Sequence, residues 1–326
     1  MANLQSTSVT GTLTLPTTVC SGSTGNVWYN TSTNRFQYSY AGTAAWSTGG
    51  AMITARNTLA GAGINTDALA FGGYITGPAG LACTEAYNGT SWTVKTGLIN
   101  ARCGLAGAGT QGAALAFAGS VANIYRGCTE LFNGTSWSAG GAMNTPRVFP
   151  AGAGTSTAAL AFGGNAPGAT VACTETYNGS SWSAGGVMIN ARELLAGAGT
   201  NTAALAFGGT AGAPSYTNRA CTEAYNGTSW SAGGALSTAR YSLAGAGTSN
   251  TAALAFGGGT PGFVACTETY NGTSWAGGGA MACARGFLAG AGASNTAALA
   301  FGGFNTSFTS VACTESYGAG VQVCTL

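Results

Sequence analysis

Apolar and polar positions alternate in short runs, and the runs recur along the chain. Ala158–Phe162 reads Ala-Ala-Leu-Ala-Phe and closes on Gly163-Gly164. In a strand, Leu160 and Phe162 fall on one face and Ala159 and Ala161 on the other. A Gly/Ala run precedes this segment, and a Thr/Tyr-rich run ending in Trp182 follows it. One unit therefore predicts strand A at about Val148–Gly154, B at Ala158–Phe162, C at Ala172–Tyr177 and D around Ser181–Ala184. Asn178-Gly179 predicts a type I′ hairpin turn between C and D. The large/small alternation of strand B suits blades stacked face to face. Strand A is nearly all Gly and Ala, which suits the crowded axis of a ring.

The unit repeats. Cys-Thr-Glu segments begin at Cys83, Cys128, Cys173, Cys221, Cys266 and Cys313, spaced by 45, 45, 48, 45 and 47 residues. An Ala-Leu-Ala-Phe block precedes each and ends at Gly73, Gly119, Gly164, Gly209, Gly258 and Gly303. That period fits four-stranded propeller blades. The repeat tryptophans are Trp46, Trp92, Trp137, Trp182, Trp230 and Trp275. The first lacks A and B strands before it, and Glu315 lacks a tryptophan after it. A circular permutation explains both ends: the strand at Trp46 completes the blade begun at Arg285, leaving no open sheet edge. The expected fold is all-β, a six-bladed β-propeller of four-stranded antiparallel blades closed by an N-terminal strand. A seventh blade from Val27–Tyr40 and Val321–Leu326 would lack the Ala-Leu-Ala-Phe block. The expected organisation is an attachment segment at 1–25, a hairpin and closure region at 26–45, and the propeller at 46–326.

Composition narrows the function. The 326 residues include 56 Gly, no His and only 6% charged residues. Without histidine there is no Ser-His-Asp triad, Cys-His dyad or histidine metal site. A net charge of +2 gives no footprint for nucleic acid or an anionic membrane. No apolar run approaches a membrane span, and the first 18 residues carry no basic-then-apolar secretion signal. Neither nucleic acid nor membrane insertion is expected; a homo-oligomer is left open.

The charges follow the repeat. Arg56, Arg102, Arg147, Arg192, Arg240 and Arg285 recur once per unit, as do Glu85, Glu130, Glu175, Glu223, Glu268 and Glu315. Fixed positions of opposite sign imply buried ion pairs that lock neighbouring blades; a ring of charges binding an axial ligand is the other reading. Outside the repeat only Arg35, Lys95, Arg126, Arg219, Asp67 and Glu193 remain. That is too little for paired-carboxylate chemistry, so no enzyme, cofactor or metal is expected.

The Cys-Thr-Glu cysteines read as small buried hydrophobes, too far apart to bridge one another. Cys103 and Cys283 are placed to reach one, and Cys20 with Cys324 could staple the termini. The Asn-Gly-Thr/Ser motifs at Asn88, Asn133, Asn178, Asn226 and Asn271 are also glycosylation sequons, but Asn-Gly is first a turn.

One part of the repeat changes freely: the B–C loop. It runs over 74–81, 120–127, 165–171, 210–220, 259–264 and 304–311. These loops carry Tyr74, Ile124, Tyr125, Arg126, Tyr216, Arg219, Phe263, Phe304 and Phe308, the candidate ligand- or partner-binding residues. Aromatics and a few arginines on rigid loops suit recognition of a sugar or protein; unconstrained drift would also vary them.

Over residues 46–318 the double glycine after an apolar strand, the Tyr and Trp downstream, and the Arg before the next unit resemble the kelch repeat. The Tyr-to-Trp gap is shorter (Tyr87 to Trp92) and the Gly/Ala content higher than in cellular kelch adaptors. No BTB-like or BACK-like region accompanies it, and the histidines of a galactose-oxidase-like copper site are missing. The segment VTGTLTLPTT followed by GNVWYNTSTNRFQYSYAGTAAW resembles a module of bacteriophage tail-fibre and appendage proteins. Together the resemblances imply a non-enzymatic virion protein, tail-fibre-like or a surface decoration. It would join other virion proteins through its N-terminal segment and bind a host-surface glycan or protein. A virion protein folds in the host cytoplasm, which accommodates ten cysteines without a signal peptide. The competing reading is an exported cellular kelch adhesin or polysaccharide-binding module at the cell surface.

Overall fold

The computed structural model describes residues 27–30, 32, 35–75 and 80–325. The regular elements among them are all β-strands. Six sheets form six blades, each meandering antiparallel from strand A to strand D. Blade 3 is typical: Ala151–Gly154, Ala159–Phe162, Thr174–Tyr177 and Trp182–Ala184. Its strands begin one to three residues later than the pattern predicts. Val148 is drawn off into an isolated bridge with Asn165, shortening strand A.

The described residues divide into two compact units, the first from within 27–43 and 319–325 and the second from within 44–318. In the first, Val27–Asn30 pairs antiparallel with the start of strand Arg35–Thr48, Val27 opposite Tyr38. The second is the propeller. Its last blade takes A and B from Ala289–Ser294 and Ala297–Phe301 and C from Thr314–Thr325. The fourth strand is Arg35–Thr48, from the opposite end of the chain. At Trp46 the permuted closure is direct: Nε1 donates to Thr267 Oγ1 at 2.8 Å and the ring lies 5.1 Å from Tyr317. The proposed attachment segment at 1–25, and Cys20 with it, lies outside the described residues.

Blade stacking follows from strand B. Leu160 and Phe162 pack with Ala204 and Ala206 of the next blade, while Ala159 and Ala161 meet Leu115 and Phe117 of the preceding one. The large face of one sheet thus fills the small face of the next, and all these side chains are fully buried. At the axis there is no such room. A Cβ on Gly152 would stand 2.7 Å from Gly107 O and 2.8 Å from the Phe117 ring.

Three rings of hydrogen bonds join neighbouring blades. On the outer side each repeat tryptophan donates Nε1 to the Cys-Thr-Glu threonine of the preceding blade: Trp137 to Thr84, Trp182 to Thr129, and so around to Trp92 on Thr314. Each also packs on the preceding blade's strand-B phenylalanine, as Trp182 does on Phe117 at 5.0 Å. Further in, the glycine that ends each Ala-Leu-Ala-Phe block has φ between +93° and +107°, and its N–H reaches the next blade's arginine carbonyl, Gly164 to Arg192 O at 2.9 Å. Innermost is a closed cycle. Thr58 donates to Phe287, Gly104 to Thr58, Phe149 to Gly104, Leu194 to Phe149, Ser242 to Leu194 and Phe287 to Ser242, at 2.7–3.3 Å. All of these residues have positive φ, between +50° and +62°.

The Asn-Gly turn is not a two-residue type I′ hairpin. Tyr177 pairs with Trp182, so the loop holds Asn178, Gly179, Ser180 and Ser181. Asn178 Oδ1 accepts the N–H groups of Ser180 and Ser181, each at 2.9 Å, and only Gly179 of the pair takes positive φ. The side chain caps the turn and holds it open.

Candidate functional site

The arginine of each repeat lies on the linker entering a blade, and its guanidinium is fully buried. It meets the glutamate of the same blade: Arg56–Glu85 at 2.7 Å, Arg147–Glu175 at 3.0 Å, Arg192–Glu223 and Arg285–Glu315 at 3.1 Å, Arg240–Glu268 at 2.9 Å, and Arg102 with Glu130. The glutamate also accepts linker N–H groups, Ile53 and Thr54 on Glu85 at 2.7 and 3.2 Å. The pair therefore does not bridge two blades; it clamps the incoming linker to its own blade. Burial lowers the arginine pKa at Arg56, Arg147, Arg192, Arg240 and Arg285, and the facing carboxylate and cysteine oppose the shift. With neither partner exposed, these charges are not available to a ligand on the axis.

The cysteines differ from the sequence expectation. Cys83, Cys128, Cys173, Cys221 and Cys313 are half-buried and Cys266 is exposed. They immediately precede strand C beside the guanidinium, Arg147 Nη1 lying 2.6 Å from Cys173 Sγ. Burial pushes the Cys173 thiol up. Cys283 Sγ stands 4.0 Å from Cys313 Sγ as free thiols, whereas Cys103 turns away to Ser120. The difference is local: Cys103 faces the start of a B–C loop, paired to it by backbone.

The B–C loops and the entering linkers share one face. In each blade the residue after the repeat arginine bridges the first residue of the B–C loop: Asn57 with Tyr74, Cys103 with Ser120, Val148 with Asn165, Glu193 with Thr210, Tyr241 with Gly259, and Gly286 with Phe304. Backbone pairing anchors each loop at its base. In two blades the loop is itself a small hairpin, Ser120–Val121 with Ile124–Tyr125 and Asn165–Ala166 with Ala169–Thr170.

The candidate residues fall into two groups. Ile124, Tyr216 and Phe308 are 57%, 64% and 75% exposed, and Arg126 is exposed as well. Tyr74, Tyr125, Arg219, Phe263 and Phe304 are only half-buried and tied into the face. The Tyr125 hydroxyl donates to Asn165 Oδ1 at 2.9 Å. Phe263 and Phe304 set their rings against Phe287 at 6.1 and 5.9 Å, and Phe149 and Tyr241 join the same cluster. So the aromatics are in part a structural cap over the axis, not a uniform exposed surface.

Two clefts flank that cap. One, about 580 Å³, is lined by Tyr74, Tyr125, Asn57 and Phe304 among others. The second, about 350 Å³, lies between blades 4 and 5 and is lined by Glu193, Leu194, Thr210, Tyr216, Asn218, Tyr241 and Thr260. Sequence reasoning left Glu193 and Tyr241 out of the candidate set. A signal was available, since they occupy the position after the repeat arginine, where other blades carry Asn57, Cys103, Val148 and Gly286. Compared with known proteins, the chain matches no family profile and no curated protein.

Proposed function

We propose that the chain is a non-enzymatic, kelch-like recognition module of a virion appendage or surface. It binds a host-surface glycan or protein, or a virion neighbour, through the B–C loop face, and its N-terminal segment joins it to other virion proteins. The observation that carries this reading is the separation of constant from variable chemistry. Twelve of the eighteen charged residues are spent in the six linker clamps, and the repeated turns are alike. Variation in side chain, and both larger clefts, gather on the face of the B–C loops. A rigid scaffold presenting variable loops is the usual architecture of a binding protein. The resemblance of the N-terminal segment to tail-fibre proteins is what favours a virion over an exported adhesin. Mass spectrometry of purified particles and adsorption of the purified full chain to candidate hosts test it together. Presence in particles with adsorption inhibited by the free protein supports it. A chain found only on the surface of uninfected cells overturns it in favour of the adhesin.

A further inference from the structure

The cleft between blades 4 and 5 contains a carboxylate of unusual circumstance. Glu193 is 7% exposed, yet among the described residues no arginine or lysine lies within ion-pair distance of it. Its neighbour in the chain, Arg192, is taken by Glu223 at 3.1 Å. Burial pushes its pKa above the ordinary carboxylate range, and the polar Asn165 side chain opposes the shift. Asn165 in turn accepts from Tyr125, so the carboxylate is backed by residues of two B–C loops. A buried charge without a cation costs stability unless something else satisfies it.

Asn218 and the two tyrosine hydroxyls of the cleft can donate as well as accept, whereas its two threonines spend their protons on the backbone. The Thr210 hydroxyl donates to Ala211 O at 3.0 Å and Thr260 Oγ1 to Gly262 O at 3.3 Å. Both hydroxyls therefore offer lone pairs to the cleft rather than protons. Two tyrosines contribute to the walls. Tyr241 rests on Gly259, where any Cβ would come within 2.8–3.2 Å of its ring, and Phe287 stands 6.3 Å away on another side. Tyr216 is 64% exposed at the rim, held by an N–H donated to Gly212 O at 3.3 Å. Acceptors at the floor and aromatic surface at the side call for a ligand rich in O–H donors that also carries an apolar face.

We propose that this cleft binds a neutral sugar residue, two adjacent hydroxyls donating to the Glu193 carboxylate while a C–H face of the ring rests on Tyr216. The proposal rests on the reading of the B–C loop face as a recognition surface and names its ligand class. The volume, about 350 Å³, admits one or two sugar rings. A cationic ligand is less well served. Arg219 lies on the same loop as Asn218, bears on Arg192 electrostatically, and has no carboxylate within ion-pair distance among the described residues. These two arginines repel a further cation brought to this side of the face, whereas a polyol satisfies the lone pairs of the carboxylate without adding charge.

The test uses the full chain. Oligosaccharides of glucose, galactose, mannose and rhamnose are screened by saturation-transfer NMR, hits are titrated by calorimetry, and choline chloride and lysine serve as cationic probes. Adsorption to host cells is measured in parallel. The expected result is a neutral oligosaccharide whose affinity falls roughly tenfold or more in Glu193→Gln, the loss of a charge-assisted hydrogen bond. A comparable loss is expected in Tyr216→Ala, and none in Val94→Ala, an exposed side chain on the strand Trp92–Lys95, away from the cleft. Both test variants should melt no more than a few degrees from the parent, so lost binding is not lost folding. Choline or lysine competing for the site, or a sugar bound equally by Glu193→Gln, overturns the proposal. Adsorption to cells with no oligosaccharide bound overturns this cleft assignment alone, whereas neither adsorption nor sugar binding sinks the recognition-face reading with it.

Discussion

Replacing Arg147 with methionine tests how the linker clamps hold the ring. The side chain keeps its length and apolar stem but loses the guanidinium. In the parent, Nη1 lies 3.0 Å from Glu175 Oε1 and Nη2 donates to Ala161 O at 3.3 Å. Without the arginine, Glu175 stays buried, about 2% exposed, and keeps only N–H partners: Asn144 N at 2.7 Å, Asn144 Nδ2 at 2.9 Å and Thr145 N at 3.3 Å. Stranding one member of a buried pair costs about 3–5 kcal/mol. The orphaned Ala161 carbonyl adds to this, and the remaining N–H groups on Glu175 subtract, so about 3–4 kcal/mol is expected. At roughly 2–4 °C per kcal/mol for a domain this large, Tm should fall by on the order of 10 °C. Arg147→Met with Glu175→Gln removes the stranded charge while an amide oxygen still accepts from Asn144 and Thr145, and about 2 kcal/mol should return. Urea denaturation of the parent, both single variants and the double variant completes the cycle. Additive losses, with no coupling between the two sites, would refute the reasoning.

Three further outcomes follow from the same geometry. Removing residues 1–48 takes away the fourth strand of the last blade and the Trp46–Thr267 bond, exposing the Thr314 strand as an edge; the truncated chain should melt lower and self-associate, and an unchanged melt with monodisperse scattering would count against the closure. Thr58, β-branched at φ +50°, should gain about 0.5–1 kcal/mol when replaced by glycine, whereas Gly104→Ala should lose stability because its Cβ would meet Val148 at 2.4 Å; equilibrium unfolding of the two variants should show opposite signs. Glu193, with a folded pKa above its unfolded value, carries stability at acid pH that is lost as pH rises through the folded pKa, so Glu193→Gln should exceed the parent in stability at pH 7 and lose that margin on acidification; a margin independent of pH would exclude burial as its cause.

Much of the fold was legible because the physics repeats. Six tryptophans and six glutamates with displaced ends give the blade number and the permutation, and the Leu/Ala alternation of strand B gives the stacking face. The partners of those residues were harder to read. Trp182 donates to Thr129, 53 positions away, and no local pattern says that the threonine of one unit serves the tryptophan of the next. The Asn178 turn misleads because its outcome depends on whether the side chain caps the loop, a competition that the Asn-Gly dipeptide does not decide. The innermost ring was hidden altogether. Its members are Thr58, Gly104, Phe149, Leu194, Ser242 and Phe287, which share a backbone conformation and no side-chain chemistry. The candidate face was readable as variable loops, but which aromatics roof the axis and which reach solvent depended on contacts between blades. Glu193 stands outside the repeat in the sequence, yet nothing local says that this one acid lines a cleft between two blades.

That innermost ring has a consequence for how such a chain can change over generations. Its links are amide to amide, each pointing the same way round, so the peptide dipoles circulate and cancel instead of building a field along the axis, and each link polarises the next. Because no side chain takes part in the links, threonine, serine, phenylalanine and leucine all close the ring at the mouth of the molecule, at the cost of their positive φ, and only at Gly104 does a neighbouring side chain forbid a Cβ. What it does constrain is number. Coding units this similar invite slippage that adds or deletes one, and a chain altered in that way must either re-space every blade or leave one link open. An open link strands a donor and an acceptor beside the axis at about 1–3 kcal/mol each. The cycle therefore acts as a counting device, permissive toward substitution and strict toward duplication.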